Sequence, residues 1–389
     1  MKIVFVINNY FAVGNGMSAS VRRTTAVLRS MGHEVRIVSG PNHTDSGVQA
    51  EYPLKDLYIP IFQPIIDANG YEYAQPDMKV LEEAAKWADV VNLTDPFTLA
   101  VKAIKACEKV GTPITATYHL HPENVTFAFG PLFYWKGFNR AYLKLWEKAV
   151  YNHCSYIQCP TQNVKDRLLR HHFKAGLKLI SNGLVMEECT RPLTPWADYE
   201  DPDRPVRVLC IGRLSKEKDQ FTLLEAMKYC KNAHRIQLQF AGQGLKGEEI
   251  KKKAHKLYTD GILKYDPEFH FLDKQGLIDI SAKADMAIHC ATIEVEGLSI
   301  MEAMQQGAMP IIAESRVSGT SQFALSRRNI FPAKNPEALA ARIDYWIAHP
   351  KERWESGLRH AESMKQYDIN KSVEKMVKMF QAAIDKHKK

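Results

Sequence analysis

Asp285-Met-Ala-Ile-His-Cys-Ala-Thr-Ile-Glu-Val-Glu-Gly-Leu-Ser-Ile-Met-Glu302, followed by Ala303 and Met304, decides the fold. Residues 285–290 form a hydrophobic run that reads as a strand, and residues 299–306 have the pattern of a helix. Gly297, Leu298 and Ser299 between them read as a loop at a strand's carboxyl end that opens a helix. The first N–H groups of such a helix lack partners within it, and the positive end of its dipole favours an anion. Glu294 stands before the turn and Glu302 within the helix, so both carboxylates are expected to reach one crevice. Two glutamates at this spacing on an ordinary helix would be surface residues; the strand, glycine and helix around them argue for a site.

The same alternation extends in both directions. Short β-rich runs at 3–7, 35–38, 90–93, 114–118, 156–159 and 177–180 are separated by helical patterns, and a second series follows at 206–211, 236–240, 269–272, 286–290 and 309–312. Apolar strands alternating with helices indicate parallel sheets covered on both faces. The fold class is therefore α/β with two doubly wound, Rossmann-like domains, whose ligands bind outside the carboxyl ends of the strands, in a cleft between facing domain edges. The break falls in residues 190–205, whose four prolines and clustered charge favour a linker.

Bulk properties exclude several classes. At 389 residues the chain is too long for one ordinary core, and 45% hydrophobic with 25% charged residues is usual for a globular protein. No run approaches the roughly 20 apolar residues of a membrane span. Residues 1–7 lack a cleavage site and read as a first buried strand rather than a signal peptide. Seven cysteines without a CxxC pair look like reduced small hydrophobes, not a disulfide frame or zinc site. The formal charge of +8 suits anionic partners such as nucleotides or a membrane surface, and no DNA- or RNA-binding motif accompanies it.

Several motifs carry chemistry. The strand at 206–211 ends in Gly212-Arg213, with Lys218 five residues on; a paired guanidinium and ammonium can stabilise an anionic group such as a phosphate without a metal. The strand at 114–118 leads into His119-Leu-His121-Pro-Glu123, where His119 can donate a hydrogen bond or stabilise charge; His121 and Glu123 are weaker candidates. Gly14-Asn-Gly16-Met-Ser-Ala19 formally fits a dinucleotide fingerprint, but it lies well after the first strand, and Ser39 stands where a ribose-binding acid belongs. Asp201-Pro-Asp203 imitates a metal-binding Asp-x-Asp, yet its place in the proline linker makes it a turn, and no metal is expected. In residues 135–148, Lys136, Arg140, Lys144 and Lys148 share one helical stripe, with Phe138, Tyr142, Leu145 and Trp146 roughly opposite, after Phe127, Phe129, Leu132, Phe133 and Tyr134. This amphipathic basic helix, with Trp135 at its start, either docks on anionic lipid through its four basic residues, Trp135 and Trp146, or buries its aromatic face in the domain core.

The stretch from Glu294 to Glu302 resembles the E-x7-E signature of retaining nucleotide-sugar glycosyltransferases with the GT-B fold, the glycogen-synthase-like group, glycosyltransferase family 4. Their usual wording is Glu-Gly-Phe-Gly-Leu, three residues, then Glu-Ala; this chain keeps Glu294, Gly297, Leu298, Glu302 and Ala303 and departs at Val295 and Glu296. The resemblance implies that Glu294 contacts the donor sugar, Glu302 the ribose, and the backbone of Gly297, Leu298 and Ser299 the diphosphate. It also assigns Arg213 and Lys218 to the phosphates, His119 to the donor sugar, Gly16 to a loop near donor phosphate or acceptor, Gly244 to a nucleotide loop and Leu272 to backbone recognition of the base. The domains implied are an acceptor domain at 1–190, a linker at 191–205, a donor domain at 206–365, and a helix at 366–389 that crosses back to the first domain.

Gly14-Asn-Gly-Met-Ser18, Tyr118-His-Leu-His-Pro-Glu123, Ser321-Gln-Phe-Ala-Leu325 and Arg328-Asn-Ile-Phe331 are similar to one branch, the membrane-associated α-glucosyltransferases acting on diacylglycerol or sterol. The expectation is hexose transfer, from UDP-glucose to a lipid hydroxyl, by an enzyme on the cytoplasmic face of a membrane without a metal cofactor. The alternatives are transfer to a soluble or polyprenyl-linked saccharide, a nucleotide-sugar epimerase of the same architecture, and a non-catalytic basic scaffold on a membrane surface.

Overall fold

The computed structural model describes residues 1–44, 46–68, 71–127, 135–189, 201 and 204–388. Most of the expected linker, Asp203 of the Asp-x-Asp, and Phe129, Leu132, Phe133 and Tyr134 lie outside them. The chain forms two compact units, Met1–Val185 with Ile369–Lys389, and Met186–Asp368.

In unit 1, strands β1 (Lys2–Val6), β2 (Glu34–Ser39), β3 (Tyr52–Pro53), β4 (Val90–Leu93), β5 (Ile114–Thr117), β6 (Tyr156–Cys159) and β7 (Gly176–Leu179) build one parallel sheet, in the order β3-β2-β1-β4-β5-β6-β7. Ile3 pairs with Val35 on one side and Val90 on the other. These strands are apolar almost throughout because helices cover both faces. Helix α1 (Gly16–Ser30) connects β1 to β2, and α2 (Lys136–Ala149) lies between β5 and β6. Strand order reverses between β1 and β4. There the Asp95 carboxylate accepts from the Asn8 side-chain amide at 2.5 Å and from the Asn8 backbone N–H at 3.1 Å, tying the two strand ends together.

Helix α6 (Ile369–His387) belongs to this unit although it comes last in the chain. Ile369, Val373, Met376, Met379, Phe380, Ala383 and Ile384 recur at helical spacing and pack on Ile3, Phe5, Met17, Val21 and Leu28. Phe380 meets Phe5 edge to face, with ring centres 6.2 Å apart, and burial of a side chain of that size contributes about 1.5–3 kcal/mol. The helix is fastened at its entry. Ile369 N–H donates to Leu184 O at 2.8 Å, and Gly183, at φ 81°, lies so close that a Cβ there would stand 2.6 Å from Ile369 Cα.

In unit 2, β8 (Val206–Ile211), β9 (Ile236–Ala241), β10 (Glu268–His270), β11 (Met286–His289), β13 (Met309–Glu314) and β15 (Ile330–Pro332) form a six-stranded parallel sheet, in the order β10-β9-β8-β11-β13-β15. A two-stranded parallel pair, β12 (Ile293–Glu294) and β14 (Val317–Ser318), stands beside it. Helix α4 (Gln220–Ala226) follows β8, after α3 (Gln162–Arg170) of unit 1, and α5 (Leu298–Gln305) follows β12. The strand expected at 269–272 ends at His270, so Leu272 lies in the loop beyond it.

Candidate active site

Unit 2 reverses its strand order between β8 and β11, and the loops leaving those strands carry the charge. After β8 the chain turns through Gly212 at φ 140°, and after β9 through Gly242 at φ 145°, conformations that side chains rarely adopt. The two loops lie backbone on backbone: Leu214 N–H donates to Gln243 O at 3.0 Å and Lys246 N–H to Leu214 O at 2.9 Å. A Cβ on Gly244 would stand 2.5 Å from the Leu214 carbonyl oxygen. This contact alone requires glycine at 244.

Lys218 follows, and Asp219 turns the chain into α4 at φ 53°, a left-handed conformation that Asp tolerates. The Lys218 ammonium is ion-paired with Oε2 of Glu294, and both side chains are more than four-fifths buried. His289, the last residue of β11, is buried and places Nε2 3.7 Å from the same carboxylate oxygen. Strand β12 holds Glu294 opposite Ser318, and Gly319 N–H donates to Glu294 O at 2.9 Å. Burial alone would raise the Glu294 pKa, but Lys218, then His289 and Arg213, outweigh it and hold the carboxyl below its ordinary value. The His289 imidazole is pushed down to about 4, chiefly by burial. It is neutral at pH 7.

Arg213 is half-exposed and bonds Glu217 Oε1 through Nη2 at 3.1 Å, while its carbonyl accepts from Gln220 Nε2 at 2.8 Å. Both cations expected at the diphosphate are thus partnered by carboxylates. Helix α5 begins at Gly297, φ 85°, with no side-chain cap, and a Cβ there would meet Thr320 Cγ2 at 2.3 Å. Leu298 and Ser299 are half-buried at its first turn, and Ser299 Oγ donates to Ile211 O at 3.4 Å, joining the helix start to the end of β8. Glu302 is half-buried one turn on, whereas Val295 and Glu296, the two departures from the family wording, are buried. Leu272 is half-buried beside an exposed Phe271.

His119 and Gly16 belong to unit 1. His119 follows β5, half-buried, and burial pushes its imidazole down to about 4. His121 is fully buried, with Nδ1 3.2 Å from both Tyr118 Oη and Arg167 Nη1, and Arg167 of α3 bonds Glu123 at 2.8 Å. That network shapes the loop carrying His119. Gly16 is the first residue of α1, with open space where a Cβ would point. The cap belongs to Asn15, whose Oδ1 accepts from Met17 N–H at 3.0 Å and Ser18 N–H at 3.3 Å.

The structure corrects one membrane assignment. Trp146 is only 3% exposed; its ring meets Phe97 edge to face and lies tilted against Tyr142, with centres 6.0 and 4.7 Å away. The reason is the helical period, which carries Asn139, Leu143, Trp146 and Val150 into the core together. Trp135, Phe138 and Leu145 remain exposed, as do Arg140, Lys144 and Lys148; Lys144 pairs with Glu147 at 2.6 Å. The Lys136 side chain lies outside the described residues. Among the described residues no helix is long and apolar enough to cross a membrane, and no three metal-ligating side chains converge.

The family model described as "Glycosyltransferase Family 4" matches residues 14–188, and that described as "Glycosyl transferases group 1" matches residues 197–367. The chain is a family 4 glycosyltransferase of the GT-B fold. Among similar proteins is the alpha-monoglucosyldiacylglycerol synthase of Streptococcus pneumoniae, 23% identical over 80% of this chain and 71% of its own length. A GDP-mannose-dependent alpha-mannosyltransferase of Corynebacterium glutamicum is 21% identical over 80% and 72%. Of solved structures, Anabaena HepE in complex with UDP and glucose superposes with a TM-score of 0.72 at 15% identity, covering 98% of this chain and 99% of that one. Sucrose-phosphate synthase from Thermosynechococcus elongatus gives 0.71 at 16%, covering 98% of each.

For a glycosyltransferase this arrangement offers two cations, an uncapped helix start and a buried carboxylate at one strand crossover. Sequence reasoning missed His289 and Glu217. A histidine closing an otherwise apolar strand, five residues before Glu294, is the one signal that pointed to His289. Glu217 is hidden among neighbouring lysines, and only its contact with Arg213 reveals it.

Proposed function

We propose that this glycosyltransferase moves glucose from UDP-glucose to a lipid hydroxyl such as that of diacylglycerol, with retention of anomeric configuration, on the cytoplasmic face of a membrane. The Lys218–Glu294 pair beside Arg213 and the start of α5 carries this reading. A diphosphate seated there takes charge stabilisation from Lys218, Arg213 and the N–H groups of Leu298 and Ser299 as the bond from sugar C1 to phosphate oxygen breaks. The acceptor oxygen bonds C1 on the same face and its proton passes to the departing phosphate, so no protein nucleophile is needed. Within unit 2, Glu294 positions the sugar, Glu302 the ribose, and Gly244 and Leu272 the nucleotide through backbone; in unit 1 the family resemblance assigns His119 to the donor sugar and Gly16 to donor phosphate or acceptor. These cations take the part a metal plays elsewhere, so turnover is expected to survive EDTA.

The lipid acceptor is supported by the streptococcal relative's name and by α2, whose exposed Trp135, Phe138 and Leu145 accompany Arg140, Lys144 and Lys148. The corynebacterial relative favours a second donor, GDP-mannose. A screen of UDP- and GDP-sugars against lipid extract, with mass spectrometry of products, decides donor and acceptor together; a product formed only with soluble saccharides would end the lipid reading. Replacing Lys136, Arg140, Lys144 and Lys148 with Ser is expected to weaken binding to anionic vesicles, at about 1 kcal/mol per basic residue. Sedimentation with vesicles that does not change would return α2 to a purely structural role.

A further inference from the structure

We infer that His289 is a positioning residue that takes over Glu294 when Lys218 leaves it for the donor's diphosphate; this rests on the donor reading above. Lys218 and His289 both lie against the same oxygen, Oε2 of Glu294. Lys218 holds it now. His289 Nε2 stands 3.7 Å away, buried and without a hydrogen-bond partner. A buried imidazole nitrogen left so is costly, and the carboxylate oxygen 3.7 Å from it is occupied by a stronger donor. A diphosphate brings more negative charge than one carboxylate and competes for the single positive charge of Lys218, which weakens its hold on Glu294. Once the phosphates draw the ammonium away, a shift of about 1 Å brings Oε2 within hydrogen-bond range of Nε2–H. The carboxylate then exchanges its ion pair for a hydrogen bond that fixes its orientation toward the sugar, so phosphate binding and Glu294 release become one event. A neutral donor suits this task, since it orients the carboxylate without neutralising it.

The test uses the full-length protein with histidine labelled by 15N. UDP added to the wild type is expected to move the His289 Nε2 resonance to that of a hydrogen-bonded N–H. Lys218→Met is expected to show the same resonance with no ligand. His289→Leu should lower kcat by about a hundredfold through a misplaced Glu294, with UDP affinity and donor KM within about twofold of wild type. His289→Gln, which keeps an N–H near Nε2, should recover most of the rate. A His289 signal in Lys218→Met identical to that of the free wild type overturns the proposal, whether or not the Leu variant folds. A wild type that binds no nucleoside diphosphate defeats the donor reading instead, and the Lys218→Met spectrum still decides the contact.

Discussion

Each sheet reverses its strand order once, and the two crossovers are closed by different chemistry. In unit 1 the space between β1 and β4 is filled by Asp95 and Asn8, with one carboxylate taking two N–H groups from a single residue. In unit 2 the corresponding position holds Lys218, Glu294 and His289, with Arg213 and Glu217 beside them. The helix starts differ in the same sense: the Asn15 side chain occupies the first N–H groups of α1, whereas Gly297 leaves those of α5 uncapped. Both positions lie where doubly wound sheets bind ligands. One is tied shut by a fixed hydrogen-bonded pair; the other is held by ion pairs whose members a diphosphate can exchange. On the function proposed above, the acid at one crossover is a fastening and the acid at the other a working group.

The largest effect that would break this contrast is on turnover. Glu294→Gln is expected to cut transfer by about 10²- to 10³-fold, with UDP affinity equal to or above wild type, since Lys218 loses its competing partner. Asp95→Asn should leave transfer nearly unchanged and lower stability by about 1–3 kcal/mol. Steady-state kinetics and denaturant melts on the two variants separate the roles, and equal losses of turnover would collapse the distinction. Next come the cations: Arg213→Ala and Lys218→Ala should each weaken UDP binding by roughly tenfold or more, at about 1.5–3 kcal/mol per charge-assisted contact, and slow the chemistry as well. Calorimetry that finds UDP bound equally by Arg213→Ala would remove the phosphate assignment.

Smaller effects sharpen the comparison of helix starts. Gly297→Ala forces a left-handed backbone and a clash with Thr320, so it should destabilise by about 1–3 kcal/mol and weaken UDP binding too. Asn15→Ala should cost about 1 kcal/mol of stability without touching UDP affinity. The pH signatures of the two crossovers run in opposite directions. Asp95, pushed up to about 6 mainly by burial, contributes stability below its unfolded value near 3.8 that is lost as pH rises through 6. His289, pushed down to about 4, contributes stability above 6.5 that is lost as pH falls towards 4. Melting temperatures across pH 4–6.5 should therefore slope less steeply upward in His289→Leu and more steeply in Asp95→Asn than in wild type.

The strands were legible because both faces of a covered parallel sheet must be apolar, so runs such as 206–211 and 309–312 stand out without context. Arg213, Lys218, Gly297 and Glu294 were legible because their type and spacing follow a strand end and a helix start. The β12–β14 pair was not, since two residues per strand leave no period to read. Trp146 misled because its aromatic ring suits a membrane and a core alike, and only packing against Phe97 decides. The Lys218–Glu294 contact joins residues 76 positions apart, and no local pattern records which charge will neutralise which.

Helix α6 has a consequence for the order in which the molecule is made. The face of unit 1 formed by Ile3, Phe5, Val21 and Leu28 is covered by residues that leave the ribosome only after all of unit 2. With residues 186–368 intervening, synthesis at about 5–20 residues per second leaves that face bare for roughly 10–40 s. Unit 2, begun later, has its complete sequence first. The nascent chain thus carries a finished second half and an open first half, a state in which a chaperone, a membrane or another copy of the same apolar face competes with Phe380 for its own seat.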